Sequence, residues 1–290
     1  MWYLLALASA VFASIRRANE KQLTHELNHF TIGWTVQVLA LPILLVATAL
    51  FGTFLNPFKL GMAFWVPTLL HNVVILPVYQ YLFMSALKHG ELSKIVPLQS
   101  LIPVISLLFG WVFLGQVPSF VATLCILNIV CGLYLLNMKG RRLHNPLDML
   151  RGDKANLHGF YSMLLIVINS MLDTKAIHAS EPVYYSLVST VIAGLTFFTI
   201  GYCTKARDYS AARKHIKPLA AAGALYAATY VSFLFALASG PLAYITAIRS
   251  TGGILMSSAI GFVHLKEPFT PYKIAGILFV LAGSVVLALS

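Results

Sequence analysis

Ten apolar runs, separated by short polar segments, constrain this 290-residue chain more than any other feature. They lie near Trp2–Ile15, Phe30–Phe51, Phe64–Leu87, Leu92–Leu114, Phe120–Met138, Leu157–Ile177, Val183–Cys203, Pro218–Ala238, Leu242–Val263 and Tyr272–Leu289. The hydrocarbon core of a bilayer is about 30 Å thick, and a helix of roughly 20 apolar residues crosses it. The runs are therefore read as ten transmembrane helices of an all-α integral membrane protein. Composition agrees: 59% of residues are hydrophobic and 10% charged, where a soluble domain carries about a quarter charged residues. Most soluble enzyme classes are excluded.

The formal net charge of +11 would point to nucleic acid in a soluble chain. Here no basic stripe is interleaved with solvent-facing aromatics, so no nucleic-acid partner is expected. Cys125, Cys131 and Cys203 fall in or beside apolar runs and read as small buried hydrophobes, with no disulfide frame and no metal site. The start, MWYLLALASAVFAS, lacks the basic region of a signal peptide. It is read as a short first span closed by Arg16 and Arg17, which snorkel to the interface.

Lysine and arginine sort by loop parity. The loops after spans one, three, five, seven and nine hold Arg16, Arg17, Lys21, Lys88, Lys94, Lys139, Arg141, Arg142, Arg151, Lys154, Lys205, Arg207, Arg213, Lys214, Lys217, Lys266 and Lys273, whereas the other loops hold Lys59 and Lys175. By the positive-inside rule the first set is cytoplasmic, and both termini face outward across a cytoplasmic (inner) membrane. Arg249 belongs to neither set, because it stands inside the ninth apolar run.

The chain also repeats itself at a shift of about 150 residues. FMSALKHGELSKIVPLQS (Phe83–Ser100) overlays FLFALASGPLAYITAIRS (Phe233–Ser250) without a gap, and Phe83, Ala86, Leu87, Gly90, Leu92, Ile95 and Ser100 recur identically. One inserted residue extends the match to Gln116 against Glu267 and Gly132 against Gly283. The chain thus divides into a first five-helix repeat (1–138), a basic connecting loop (139–156) and a second five-helix repeat (157–290). Five is odd, so the second repeat is inverted relative to the first. Two similar halves in opposite orientation are the usual construction of secondary transporters, with the solute held near the midplane.

Several stretches then resemble a known family. They are the "AL…G.L" pattern running into spans four and nine, Pro103, RGD at Arg151–Asp153, LKEPFT at Leu265–Thr270 and AGILFVLAGSVVL at Ala275–Leu287. Together they resemble the EamA-type transporters of the drug/metabolite transporter superfamily. The resemblance implies a ten-helix, two-repeat carrier of small organic solutes, with spans three, four, eight and nine around a central cavity. Two departures stand out. Gln116 occupies the position of a usual glutamate, and the loop charges place the termini outside, where many bacterial relatives are thought to have them inside.

Charge or amide at membrane depth marks candidate sites. On span nine, Thr246, Arg249, Gly253, Ser257 and Ile260 share a stripe. Arg249 either anchors a carboxylate or phosphate through its planar fork, or pairs internally with Asp173 or a helix-end carbonyl, or snorkels. Its repeat counterpart Gln99 shares a face with Pro103 and Ser106, near Pro97 and Pro103, which free backbone carbonyls. Span three adds His71, Asn72 and Tyr79 beside Pro67 and Pro77. Its counterpart adds Tyr226 and Tyr230, with Tyr79 and Tyr230 nearer the membrane boundary. All of these are candidate solute contacts. Asn169 and Asp173 lie one turn apart on span six and face inward. Asp173 is a candidate for a coupling proton or for pairing with Lys175 or Arg249, and His71 is a second candidate proton carrier because histidine titrates near neutrality.

An enzyme reading has to be weighed against these. HELNH at His25–His29 fits H-E-x-x-H, the zinc-protease pattern. It sits in a polar loop, and no third ligand accompanies it. The expectation is accordingly no enzyme, no cofactor and no metal. The chain is read as a secondary transporter, exporter or exchanger, of a small polar or anionic metabolite, working in membrane lipid by alternating access. A lipid-linked sugar flippase of the same superfamily is the alternative.

Overall fold

The computed structural model describes residues 1–24, 26–89, 100–136, 154–205, 209–265 and 271–289, and among them the regular structure is helical throughout. The helices are α1 (Trp2–Leu23), α2 (His29–Phe51), α3 (Met62–Leu69), α4 (Leu76–His89), α5 (Ile102–Leu114), α6 (Phe120–Leu136), α7 (Lys154–His178), α8 (Pro182–Cys203), α9 (Tyr209–Lys214), α10 (Ile216–Ser239), α11 (Leu242–Leu265) and α12 (Pro271–Leu289). A π-helical turn, Leu70–Ile75, joins α3 to α4. The segments His29–Phe51, Met62–Phe83, Leu157–His178, Pro182–Cys203 and Ile216–Ser239 are long and apolar enough to cross a membrane, and Ile102–Leu114, Phe120–Leu136 and Ile274–Leu289 are shorter apolar helices.

Polarity in α2 runs opposite to that of a soluble helix. Thr31, Thr35, Gln37 and Thr48 are buried, while Val38, Leu45, Val46 and Leu50 are exposed. That arrangement suits an apolar solvent, since a hydroxyl or amide facing hydrocarbon has no water to bond. Thr48 bonds back to the Leu44 carbonyl at 2.8 Å, which satisfies its hydroxyl within the helix.

The chain forms two compact units. One comprises Met1–Pro77 with Leu172–Ser239, the other Val78–Met171 with Gly240–Ser290, so each draws on both halves of the sequence. In the first, α1 lies on α10, and α2 lies on α8 and α10. Leu23, Leu27, Ile32, Val36, Ala212, Leu219 and Ala222 form an apolar cluster there, and Ala40, Leu44 and Ala227 form another.

Helix α1 corrects one expectation. It does not stop at Arg16 but continues to Leu23. Arg16 pairs with Glu20 one turn on, at 3.5 Å, and its guanidinium lies 5.3 Å from the centre of the Tyr226 ring. Asn19 donates to the Pro218 carbonyl at 2.8 Å. These contacts turn Arg16 inward onto α10 and extend the helix along it, whereas a snorkelling arginine would point to the interface.

In the second unit α6 packs along α12 and α11 along α5. A methyl group added at Gly132 would lie 2.7 Å from Val280 Cγ2 and 2.8 Å from the Gly276 carbonyl oxygen. One added at Gly283 would lie 2.8 Å from Ile129 Cγ1 and 2.9 Å from the Cys125 carbonyl oxygen. Gly132 and Gly283 are the pair that the repeat aligns, and the same offset carries Cys125 to Gly276 and Ile129 to Val280. The contact is therefore reciprocal, as a two-fold relation between repeat-related helices requires, and small residues permit the close approach.

Overpacking this seam is costly. Gly132→Val and Gly283→Val should each destabilise the detergent-solubilised protein by about 1–3 kcal/mol, read as a fall in the thermal unfolding midpoint. Gly61→Ala, where an added methyl meets nothing within 4 Å, should leave that midpoint unchanged.

Candidate functional site

The densest buried polar cluster among the described residues lies in the first unit, around Asp173. Asp173 is 3% exposed, near the C-terminal end of α7. Its Oδ1 accepts from the Tyr185 hydroxyl of α8 at 2.6 Å and from the Tyr230 hydroxyl of α10 at 3.1 Å. His71 Nδ1 stands 2.9 Å from the same oxygen, as an ion-pair contact outside hydrogen-bonding alignment. A buried carboxylate needs such donors, because desolvation without them disfavours its charge by several kcal/mol. Lys175, two residues on, is exposed and takes no part.

His71 and Asn72 reach this cluster from the π turn. Within it the Leu76 N–H bonds the His71 carbonyl, five residues back, where an α-helix would reach four. Pro77 follows directly and has no N–H for the Val73 or Asn72 carbonyl, so the helix is already a donor short where the register changes. Single π turns of this kind recur at functional sites. Asn72 Nδ2 donates to the Thr68 carbonyl at 2.9 Å, which leaves Oδ1 to accept from Ser189 of α8 at 3.0 Å. Ser189 Oγ also stands 3.0 Å from the Tyr230 hydroxyl. A continuous chain thus runs from Asp173 through Tyr230 and Ser189 to Asn72.

The aromatic rings extend the cluster. Tyr226 and Tyr230 have centroids 5.7 Å apart, and Tyr185 and Tyr230 6.4 Å. Tyr230 was expected near the boundary. It sits well inside α10 because that helix begins at Ile216, and its hydroxyl is central to the network. One turn before Asp173, Asn169 is 3% exposed, and among the described residues neither its Nδ2 nor its Oδ1 has a hydrogen-bond partner.

Other candidates stand elsewhere. Thr246 is buried on α11, with its hydroxyl turned back to the Ala243 carbonyl at 3.0 Å. Arg249 is partly buried on the same helix. Tyr79 stacks on Phe83 with centroids 5.7 Å apart, which gives its ring a packing role. Gln99 lies outside the described residues.

Sequence reasoning passed over Tyr185 and Ser189, although YYSLVST places them one turn apart on a common face. It noted Gln116 only as a departure from the usual glutamate, without its role: its Oε1 accepts from the Leu242 N–H at 2.9 Å and so caps α11. The usual glutamate would make the same cap, with the added attraction of a carboxylate for a helix N-terminus.

In the HELNH stretch the described residues before His29 are not helical. Residues 26–28 are turn and extended backbone, Asn28 caps α2 by accepting from the Phe30 N–H at 3.0 Å, and His29 begins that helix. Glu26 pairs with His215 at 2.8 Å. His25 is outside the described residues, and no group of three metal-binding side chains occurs among those described.

Comparison with known proteins supplies three findings. A model of the EamA-like transporter family matches residues 1–138 and again 153–289. A solved structure, titled only as the crystal structure of a protein, superposes with a TM-score of 0.76 at 12% identity, covering 99% of this chain and 96% of that one. At that identity it supports the fold alone. No curated protein matches at a significant level.

The hydroxyl bonds to Asp173 make a measurable prediction. Tyr185→Phe should destabilise the protein by about 1–3 kcal/mol, the range for a hydrogen bond to a charged group. In an Asp173→Asn background the same change should cost clearly less, since interacting residues are not additive. Equal costs in both backgrounds would place the effect in packing, apart from the carboxylate.

Proposed function

Because the chain belongs to the EamA-like transporter family, a duplicated domain of the drug/metabolite transporter superfamily, it is a multi-pass membrane transporter, and we propose that it is a secondary active one. On this reading it exports or exchanges a small polar or anionic organic metabolite by alternating access. Its ten helices form two inverted five-helix repeats joined through residues 139–156. The loop charges support a cytoplasmic membrane with both termini outward.

The observation that carries the proposal is the buried amide of Asn169, which has no hydrogen-bond partner among the described residues and stands beside Asp173 on one face of α7. An amide buried without a partner costs about 1–3 kcal/mol by mutational measures. A solute that brings its own hydroxyl, amine or carboxylate recovers that cost on binding. Asn72, His71, Tyr226 and Tyr230 belong to the neighbouring network and are proposed as further contacts, and Tyr79 is proposed as an aromatic contact as well. For an anionic end we propose Arg249, with Thr246 one turn before it and Gln99 as the counterpart in the other repeat. The guanidinium suits a carboxylate or phosphate held in two bonds.

Untargeted metabolite profiling of cells and medium tests this, with wild type compared against Asn169→Ala and Arg249→Gln. Expression of wild type should move at least one small polar or anionic metabolite across the membrane. Either variant should reduce that movement about tenfold, which corresponds to ~1.4 kcal/mol. A change confined to lipid-linked sugars would support a flippase and overturn the metabolite reading.

A further inference from the structure

The chain Asp173, Tyr230, Ser189, Asn72 contains three oxygen-to-oxygen contacts, at 3.1, 3.0 and 3.0 Å. A hydrogen bond needs one proton per contact, and protons can be counted. Asn72 turns its Nδ2 to the Thr68 carbonyl, so its Oδ1 can only accept from Ser189. With Asp173 ionised, Tyr230 donates to the carboxylate and Ser189 donates to Asn72. Those two hydroxyls then have no proton left for the contact between them, and two lone pairs face each other at 3.0 Å. Tyr185 cannot supply the missing proton, because its hydroxyl is committed to Asp173.

From this count we propose that Asp173 is a proton-binding site, and that one proton on its carboxyl completes the chain as far as the π turn. The added proton comes from hydronium, which is left as water, and it converts the carboxylate to a carboxylic acid. The acid donates to Tyr230, Tyr230 turns its proton to Ser189, and Ser189 still donates to Asn72. Release reverses each turn and returns the proton to water. The ionised state leaves one contact without a proton, and the protonated state fills all three.

The surroundings restrict the proton to this place. From α8 Asp173 faces Tyr185, from α10 it faces Tyr230, and from the π turn it faces His71. Arg16 of α1 lies over the Tyr226 ring, 5.3 Å from its centre. Tyrosine and arginine keep their protons at ordinary pH. His71 is itself on the π turn, 2.9 Å from Asp173 Oδ1, and the two attract as an ion pair only when the imidazole is protonated and the carboxyl ionised. A proton on Asp173 therefore weakens the hold on His71 and strengthens the chain to its neighbour Asn72. In a transporter this links proton uptake to a segment with altered helical register. That consequence rests on the transport reading; the proton site does not.

Labelling with dicyclohexylcarbodiimide tests the site without a known solute. A protonated carboxyl adds across one C=N bond of the reagent, its proton passing to nitrogen, and forms an acylurea that peptide mass mapping locates. In purified full-length protein the adduct should map to Asp173, and its yield should fall as pH rises. Ser189→Ala removes the lone-pair conflict of the ionised state and one link of the protonated chain. At a pH where wild type is part-labelled, it should cut labelling about tenfold, equivalent to one pH unit. Absence of an Asp173 adduct at every pH, a yield independent of pH, or unchanged labelling in Ser189→Ala would each overturn the proposal. Loss of metabolite movement with labelling intact would instead count against the transport reading alone.

Discussion

The absence of water around these helices governs everything else in the structure. In hydrocarbon each backbone group has to bond within its own helix, and each polar side chain has to find a partner among its neighbours. Most hydroxyls here meet that demand locally. Thr48, Thr68, Ser162, Thr196 and Thr229 all donate to a carbonyl three or four residues back. A carboxylate cannot do this, since it only accepts. Asp173 consequently gathers hydroxyl donors from two other helices and stands beside His71 of the π turn, and those segments become tied to one another through it.

The same unit carries a charge of the opposite sign on the partly buried Arg16. Span one and span six are repeat counterparts, as are spans three and eight. Span one touches span eight through Arg16 over the Tyr226 ring, and span six touches span three through Asp173 beside His71. Equivalent contacts in the two halves have thus acquired a fixed cation on one side and a titratable anion on the other. At α6 and α12 the equivalence is kept, with glycine opposing glycine by the same offset. Packing tolerates, and close packing favours, the two-fold relation. Charge breaks it, because two carboxylates or two guanidiniums in one dry unit would repel.

Much of the fold was legible because lipid imposes a coarse rule, and apolar length alone located most of the helices. The glycine pair 132 and 283 was legible as a match between the repeats, although glycine alone does not mark a close approach, as Gly61 shows. Inward faces were legible too, as Asn169 and Asp173 show. Partners were not. Helical periodicity tells which face Asp173 shares with Asn169, but nothing in one sequence says that Tyr185, Tyr230 and His71 meet there. Pro67 and Pro77 announced an irregular third span without specifying a π turn, since a missing N–H can be absorbed by a kink, a bulge or a side-chain donor. HELNH misleads for the same reason. Its spacing acquires meaning only on a helix, and the backbone there is a turn that ends in an N-cap.

The π turn and the carboxylate are best understood together. A π turn is a poorer arrangement than the α-helix it interrupts, and it persists where side chains hold it. Its two buried polar residues are consecutive, and each is attached to a different helix, His71 to α7 and Asn72 to α8. Restoring α register would turn one side of the segment by roughly 100° relative to the other, one residue's worth of helix. Both attachments could not survive that turn. The register of span three is accordingly set by the same few contacts that a single proton on Asp173 would rearrange. This cluster gives the bundle the means to connect a proton to a change of backbone geometry.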